Sequence, residues 1–204
     1  FMTEQGMAHI RQQKAQAAWL QVRQDNLPAI HLYETLGFRH QAVRTLWRAS
    51  GGQLIGQMPK NIHIRPRRQE DWPQQRAWLQ TTYSEAVAWN LFFKLETFLP
   101  GWWRWVVHYF RNERVENWCA WRDGELTGAI SWAEARFHQE ALWPVLQDEG
   151  DEETLCALLR FMRRRLPTHR PVVVNFPADR GESAFVRAGF SKINTLIWMD
   201  APIV

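Results

Sequence analysis

Apolar and polar positions over residues 17–49 predict a strand, a short helix and a second strand. The runs "AAWLQV" (17–22) and "AVRTLWRA" (42–49) are apolar segments of strand length. Between them, apolar side chains recur at the i, i+3, i+4 and i+7 spacing of one helical face. These positions are Ala29, Leu32, Tyr33 and Leu36.

The ends of this helix are marked by residues with special backbone preferences. Pro28 suits a first helical turn, and Asp25 or Asn26 before it can accept hydrogen bonds from unpaired backbone N–H groups. Gly37 follows the last apolar position, where a left-handed residue closes a helix, and Phe38 can then fold back onto the last turn.

The same unit recurs near the other end of the chain. "VVVNFPADRGESAFVRAGF" (172–190) aligns with "LQVRQDNLPAIHLYETLGF" (20–38), with Phe38 and Phe190 152 residues apart. The preceding segments "MAHIRQQ" (7–13) and "LRFMRRR" (159–165) correspond as predicted helices. The helical stripe of the first unit becomes Gly181, Ala184, Phe185 and Ala188. Such self-similarity predicts two tandem copies of one domain.

The second copy contains further elements that the first lacks. They are a strand at 62–66, helices across 69–112, a hairpin from 116–121 and 126–135 around Asp123-Gly124, a strand at 140–146 and a helix at 152–165. A polar, glycine-rich linker covers 50–61. We therefore predict the closing part of a first domain at 1–49 and a complete second domain at 62–204.

The segment "VRQDNLPAIHLYETLGF" (22–38) closely resembles the last motif of the GNAT superfamily of N-acetyltransferases, V-x-x-x-N-x-x-A-x-x-L-Y-x-x-x-G-F. Its matching positions are Val22, Asn26, Ala29, Leu32, Tyr33, Gly37 and Phe38. The resemblance implies an α/β (α+β) fold, in which helices flank a GNAT-like mixed sheet. One partial and one complete copy would be present, packed against each other within the chain.

The resemblance also implies acyl transfer from acetyl-CoA, as co-substrate, to an amine acceptor. In this family the cofactor inserts between two splayed parallel strands. The tyrosine at the position of Tyr33 often protonates the leaving thiolate, a task for a donor whose pKa is near or above that of the thiol. Asn26 and Ala29 would line the cofactor side. The alternative role of Tyr33 is that of a core aromatic on the apolar stripe.

The family's pyrophosphate loop, Q/R-x-x-G-x-G/A, uses backbone N–H groups at a helix start to hold phosphate. In the first copy this loop would lie upstream of Thr3, so we expect the chain to be a fragment of a longer protein that need not be active on its own. In the second copy the counterpart is "QDEGDE" (147–152), where carboxylates would repel a pyrophosphate. Phe185 and Ala178 stand where the tyrosine and asparagine are expected. We therefore predict that the second copy is not catalytic.

Composition adds few constraints. The net charge of +4 comes from dispersed basic residues, which argues against nucleic-acid binding, and the run "RFMRRR" (160–165) suits a helix C-terminus. The two cysteines and seven histidines show no metal-ligand spacing, so we expect no metal and a cytoplasmic setting. Charges interrupt the apolar region 86–110, so we expect no membrane span. The 13 tryptophans favour core packing over a pocket wall.

One alternative of a different class stays open at this point. The chain could be a non-catalytic GNAT-like module that binds a ligand or a protein partner. The acidic loop and Phe185 favour that alternative for the second half, whereas Tyr33 and Asn26 oppose it for the first half.

Overall fold

A computed structural model of the chain describes residues 16–50, 56–88, 90–91, 93–101, 114–134, 140–166 and 170–202. The strands are β1 (Ala17–Arg23), β2 (Arg39–Ala49), β3 (Ile62–Pro66), β4 (Val115–Arg122), β5 (Glu125–Glu134), β6 (Glu140–Leu146), β7 (Val172–Pro177) and β8 (Ser191–Pro202). The α-helices are α1 (Leu27–Thr35), α2 (Trp72–Thr82), α3 (Glu85–Ala88), α4 (Glu152–Arg165) and α5 (Glu182–Arg187). Two 3-10 helices cover Gln69–Asp71 and Leu95–Phe98.

The strands form one eight-stranded mixed sheet with the order β1-β8-β2-β7-β6-β5-β4-β3. Only the β6–β7 pair among these neighbours is parallel. The last strand of each repeat lies beside the other repeat: β8 pairs with β1, and β2 pairs with β7. The β1–α1–β2 unit of the first repeat and the β7–α5–β8 unit of the second repeat therefore exchange strands within a single sheet.

Most of the predicted elements are confirmed. The strands at 62–66 and 140–146 and the helix at 152–165 have the predicted bounds, and the hairpin turns at Asp123-Gly124. The fold class is also confirmed, because helices flank a mixed sheet. The predicted helix at 7–13 lies outside the described residues, as does part of the helical region predicted at 69–112.

The helices cover both faces of the sheet. Neighbouring residues of β4 and β5 belong to two different apolar clusters. Ala120 and Ile130 belong to the cluster under α4 and α5, whereas Cys119 and Ala129 belong to the cluster under α2. A third cluster lies between α1 and strands β1 and β8. Several tryptophans are buried in these clusters, as predicted. No helix in the described ranges is long and apolar enough to cross a membrane.

Both repeats end their helix with the same predicted cap. Gly37 and Gly189 are left-handed, with φ of 88° and 75°. The N–H of Phe38 donates to the Tyr33 carbonyl at 3.0 Å, and that of Phe190 donates to the Phe185 carbonyl at 2.9 Å. These bonds satisfy carbonyls that a helix end leaves unpaired. The phenylalanine then returns the chain to the sheet.

The predicted apolar stripe of α1 is partly wrong. Leu32 is 48% exposed, whereas Ile30, outside the stripe, is buried. The helix lies over β1 and β8 through Ala29, Ile30 and Tyr33, so its buried face is rotated from the predicted one. In α5 the stripe is correct, because Ala184 and its neighbours also pack against α4.

The basic run at the end of α4 binds described residues at both ends of the predicted linker. Arg160, Arg163 and Arg164 donate hydrogen bonds to the backbone carbonyls of Gln57, Ser50 and Gly56, at 2.9, 2.8 and 2.6 Å. Arg160 and Arg163 also donate to the last carbonyls of α5, where cations are favoured. The run ends a helix, as predicted, and its arginine side chains also bind backbone carbonyls of other segments, which the sequence did not indicate.

A substitution at Gly181 is expected to destabilise the fold. Its φ is 65°, and an added Cβ would lie 2.4 Å from Leu155 Cδ2. We expect Gly181→Ala to lower the free energy of unfolding by about 2 kcal/mol or more, from backbone strain plus overpacking. Gly37→Ala is the control, since its φ is 88° but no atom lies within 4 Å. Urea denaturation should show the smaller loss for Gly37→Ala; equal losses would contradict the steric argument.

Candidate functional site

Helix α1 starts directly beyond the carboxyl end of β1, and Asn26 caps it. The Asn26 Oδ1 atom accepts the Ala29 backbone N–H at 3.3 Å. The amide oxygen and the Ala29 N–H therefore satisfy each other. The exposed Asn26 side chain keeps its NH2 group as a donor for a ligand at this helix start.

Tyr33 lies two turns further along the same helix and is partly exposed. Its ring contacts the ring of Phe38 edge-on, with centroids 5.8 Å apart, and packs on the apolar cluster beneath α1. No hydrogen bond to its hydroxyl occurs within the described part of the chain. Since residues three and four apart share a helix face, Asn26, Ala29 and Tyr33 lie along one side of α1. The three predicted site residues thus follow one another along the same helix side over about two turns.

The counterpart of Tyr33 in the second copy is inaccessible. Phe185 has no exposed surface, and the Trp47 indole stacks on it with centroids 4.7 Å apart and an interplanar angle of 1°. Phe190 contacts Phe185 edge-on at 5.7 Å, as Phe38 contacts Tyr33. A phenylalanine in this position has no proton to donate, and here its ring stacks on a tryptophan of the first copy within a buried cluster.

The acidic loop before α4 occupies its own backbone donors. The Gly150 N–H donates to Asp148 Oδ1 at 2.9 Å, and the Thr154 N–H donates to Asp151 Oδ1 at 3.0 Å. The N–H groups of Asp151 and Glu152 are bound by loop carbonyls. A phosphate group at a helix start needs such N–H groups. This helix start is therefore already capped from within.

Arginines neutralise the carboxylates around this loop. Arg122 lies 3.1 Å from Asp151 and 3.3 Å from Glu153, and Arg180 pairs with Glu149. The positive charge that a pyrophosphate would require is thus engaged by acidic side chains of the protein.

The electrostatics of Asp151 give a testable pH dependence. Burial raises the pKa of Asp151, but hydrogen bonds from Thr154 and Arg122 outweigh burial and leave this pKa below its ordinary value. A lowered folded-state pKa means that the charge stabilises the fold above the ordinary carboxyl pKa. That contribution is lost as pH falls through the folded-state pKa.

Asp151→Asn keeps a capping oxygen and removes the charge. We expect it to lower the free energy of unfolding at neutral pH by less than about 1 kcal/mol, with the difference disappearing at acid pH. The control is Asp123→Asn, an exposed turn residue with a φ of 52° that asparagine tolerates. Urea denaturation across pH measures both variants, and a pH-independent difference for Asp151→Asn would contradict the assignment.

Strands β6 and β7 separate soon after they meet. They pair at Glu140–Val172 and Ala141–Val173, and β6 then continues to Leu146 away from β7. In the gap, the Tyr83 hydroxyl donates to the Pro144 carbonyl of β6 at 3.3 Å. The second copy therefore has the splayed parallel strands that the resemblance implies, but the gap contains protein groups.

Arg44, which β2 contributes from the first copy, also lies in this gap. Its guanidinium donates to the Thr82 carbonyl at 2.8 Å and the Asn175 carbonyl at 2.9 Å, and lies 5.0 Å from the Tyr83 ring centroid. Burial lowers the pKa of Arg44 and raises the pKa of Tyr83. This bridge holds β7 to α2, and through Tyr83 to β6.

Sequence reasoning missed both bridge residues. Arg44 was visible only as a charged residue within an apolar strand run, and Tyr83 as one aromatic in a tryptophan-rich region. Their pairing depends on β2 lying beside β7, which the exchange of strands brings about.

Solved structures of similar fold support the topology. The chain superposes on a GCN5-related N-acetyltransferase from Sphaerobacter thermophilus with a TM-score of 0.53 and 18% identity, over 92% of this chain and 60% of that one. A GCN5-related N-acetyltransferase from Kribbella flavida gives a TM-score of 0.56 and 11% identity, over 90% and 68%. A tandem GNAT protein from the clavulanic acid biosynthesis pathway gives 0.52 and 14%, over 98% and 68%.

These similarities show that the chain has the GNAT fold. The chain spans about three fifths to two thirds of the length of these structures. No protein-family model and no curated protein sequence matches it.

Proposed function

We propose that this chain, which has the GNAT fold, serves N-acetyl transfer from acetyl-CoA to an amine, with the candidate site on α1. The contrast between the two repeats carries the proposal. Tyr33 is partly exposed beside a capped helix start, whereas Phe185 is fully buried and stacks on Trp47. Only the first repeat combines a proton donor with an accessible position.

The chemistry assigns one role to each group on α1. The amine nitrogen attacks the thioester carbonyl, the C–N bond forms and the C–S bond breaks. The departing thiolate takes a proton from the Tyr33 hydroxyl, the amine loses a proton to solvent, and solvent returns a proton to Tyr33. A positioned general acid lowers the barrier to thiolate departure. The Asn26 NH2 group donates to an acyl-CoA carbonyl beside Ala29.

The second copy, in this proposal, does not perform the reaction. Its acidic loop uses its own N–H groups, the Arg44–Tyr83 bridge fills the gap between β6 and β7, and Phe185 is buried. Its part is to complete the sheet on which α1 lies, through β8.

Calorimetric titration with acetyl-CoA tests the location of the site. Asn26→Asp keeps the helix cap but replaces the donor NH2 with a negative charge, so we expect affinity to fall by at least about tenfold. Ala178→Asp places the same charge at the counterpart position of the second copy and should leave affinity unchanged. Absence of binding by the unaltered protein, or equal losses in both variants, would contradict the proposal.

The alternative is a non-catalytic module that binds a ligand or a protein partner. The closed second site favours this role for residues 62–204. It predicts no acetyl-CoA turnover by the protein and no effect of Tyr33 substitutions on partner binding.

A further inference from the structure

Each repeat's key aromatic position packs against a strand that the other repeat contributes. Trp47 belongs to β2 of the first copy and stacks on Phe185 of the second. Strand β8 of the second copy in turn contributes Ile197, Met199 and Ala201 to the cluster beneath α1, against which Tyr33 packs. The exchange of strands makes this arrangement reciprocal.

The counterpart of Trp47 is Met199. The two are 152 residues apart, the same offset that relates Tyr33 to Phe185. The pairing of β2 with β8 confirms the match: Met199 lies opposite His40, and Trp47 lies opposite Lys192. His40 and Lys192 each follow the repeated phenylalanine by two positions. Met199 therefore holds, on the Tyr33 side, the place that Trp47 holds on the Phe185 side.

The two side chains differ in shape. The rigid indole of Trp47 lies flat on Phe185, which has no exposed surface. Met199 is also completely buried, but its thioether is narrow and flexible, and Tyr33 above this cluster remains partly exposed. The size of the residue on the exchanged strand thus parallels the accessibility of the aromatic position above it.

We propose that Met199 is a positioning residue by which the second copy keeps Tyr33 accessible. A bulky aromatic at this position would pack against the Tyr33 ring as Trp47 packs against Phe185, and would leave that ring buried. The catalytic meaning of this proposal rests on the proposed function. The effect of Met199 on the accessibility of the Tyr33 ring does not rest on the proposed function, because this accessibility can be measured without acetyl-CoA.

Fluorine NMR of protein labelled with 3-fluorotyrosine reads that accessibility. The chain has three tyrosines, so Tyr33→Phe assigns the Tyr33 signal by its disappearance. A soluble gadolinium chelate broadens exposed signals. We expect the Tyr33 signal to broaden in the unaltered protein and to be protected in Met199→Trp. If the tryptophan variant does not fold, Met199→Phe replaces it, because phenylalanine brings no indole N–H into the core. We expect the same protection of the Tyr33 signal in Met199→Phe.

Two further variants separate positioning from simple damage. Met199→Leu keeps the residue narrow and should preserve the broadening of the Tyr33 signal. In the second copy, Phe185→Tyr should give a protected fluorotyrosine signal, which becomes exposed when combined with Trp47→Met. Equal broadening of the Tyr33 signal in folded Met199→Trp or Met199→Phe would overturn the proposal.

Titration with acetyl-CoA keeps this proposal distinct from the proposed function. If Met199 controls access, affinity should fall at least about tenfold in Met199→Phe and remain in Met199→Leu. If the unaltered protein binds no acetyl-CoA while the NMR contrast is seen, the proposed function fails and the positioning by Met199 stands. If acetyl-CoA binds equally to all variants and the NMR contrast is absent, the positioning proposal fails alone.

Discussion

Tyr33→Phe is expected to reduce acetyl transfer at least about a hundredfold while leaving acetyl-CoA binding intact, because a general acid commonly contributes that much. The change removes only a hydroxyl that has no hydrogen-bond partner in the described structure. The phenylalanine ring can keep the edge contact with Phe38 and the packing beneath α1. The loss should therefore fall on kcat, measured as thiol release with a panel of amine acceptors. Calorimetry measures binding in parallel.

Tyr83→Phe is the matched control. It also removes one tyrosine hydroxyl, but this one is buried and donates to the Pro144 carbonyl. Loss of a buried hydrogen bond should lower stability by about 1 kcal/mol. Turnover should be unchanged, because Tyr83 belongs to the closed second copy. Unaltered turnover in Tyr33→Phe, or an equal loss in Tyr83→Phe, would contradict the role of Tyr33.

The helix of the first repeat could be read from the sequence because its signals are local. Asn26 caps it, Gly37 is left-handed and Phe38 returns to the helix end, and each effect involves residues a few positions apart. The buried face was less predictable. Leu32 satisfies the helical spacing but is half exposed, because burial depends on which elements lie beside α1.

The exchange of strands could not be predicted in the same way. Strands β2 and β8 each carry an apolar pattern that suits a buried strand, but no local signal states which strand lies next to them. Thr45 pairs with Thr195, 150 residues away, and their hydroxyl oxygens lie 2.9 Å apart. The repeat indicated two similar units, and only the structure shows that each unit completes the other.

For the second copy the sequence predicted that the residues for the chemistry are replaced, and the structure shows what surrounds the replacing residues. From the sequence, Phe185 could be recognised as standing where the motif has a tyrosine. The stacking of Trp47 on Phe185 could not, because it depends on strand order. The carboxylates before α4 were expected to repel phosphate. Asp148 and Asp151 additionally accept the Gly150 and Thr154 N–H groups, with Asp151 as the helix cap, and loop carbonyls accept the Asp151 and Glu152 N–H groups.

The Arg44 bridge is expected to have the largest effect on stability. Arg44 is 3% exposed, and its guanidinium binds the carbonyls of Thr82 and Asn175 and the side-chain oxygen of Asn175. Methionine can fill much of the same space but donates no hydrogen bonds, so Arg44→Met leaves these acceptors without their partner. Each unsatisfied buried acceptor costs about 1–3 kcal/mol, partly offset by the burial of an apolar side chain. We expect a net loss of about 3 kcal/mol in the free energy of unfolding.

Arg48→Met is the control for this prediction, because Arg48 lies four residues further along the same strand and is exposed. Surface substitutions of this kind usually change stability by less than about 0.5 kcal/mol. Urea denaturation of both variants, followed by tryptophan fluorescence, gives the comparison. The bridge links a first-copy strand to α2 of the second copy, so its loss should also speed hydrogen exchange at the end of α2 near Thr82. Equal stability of Arg44→Met and Arg48→Met would show that packing alone joins the two copies at the gap between β6 and β7.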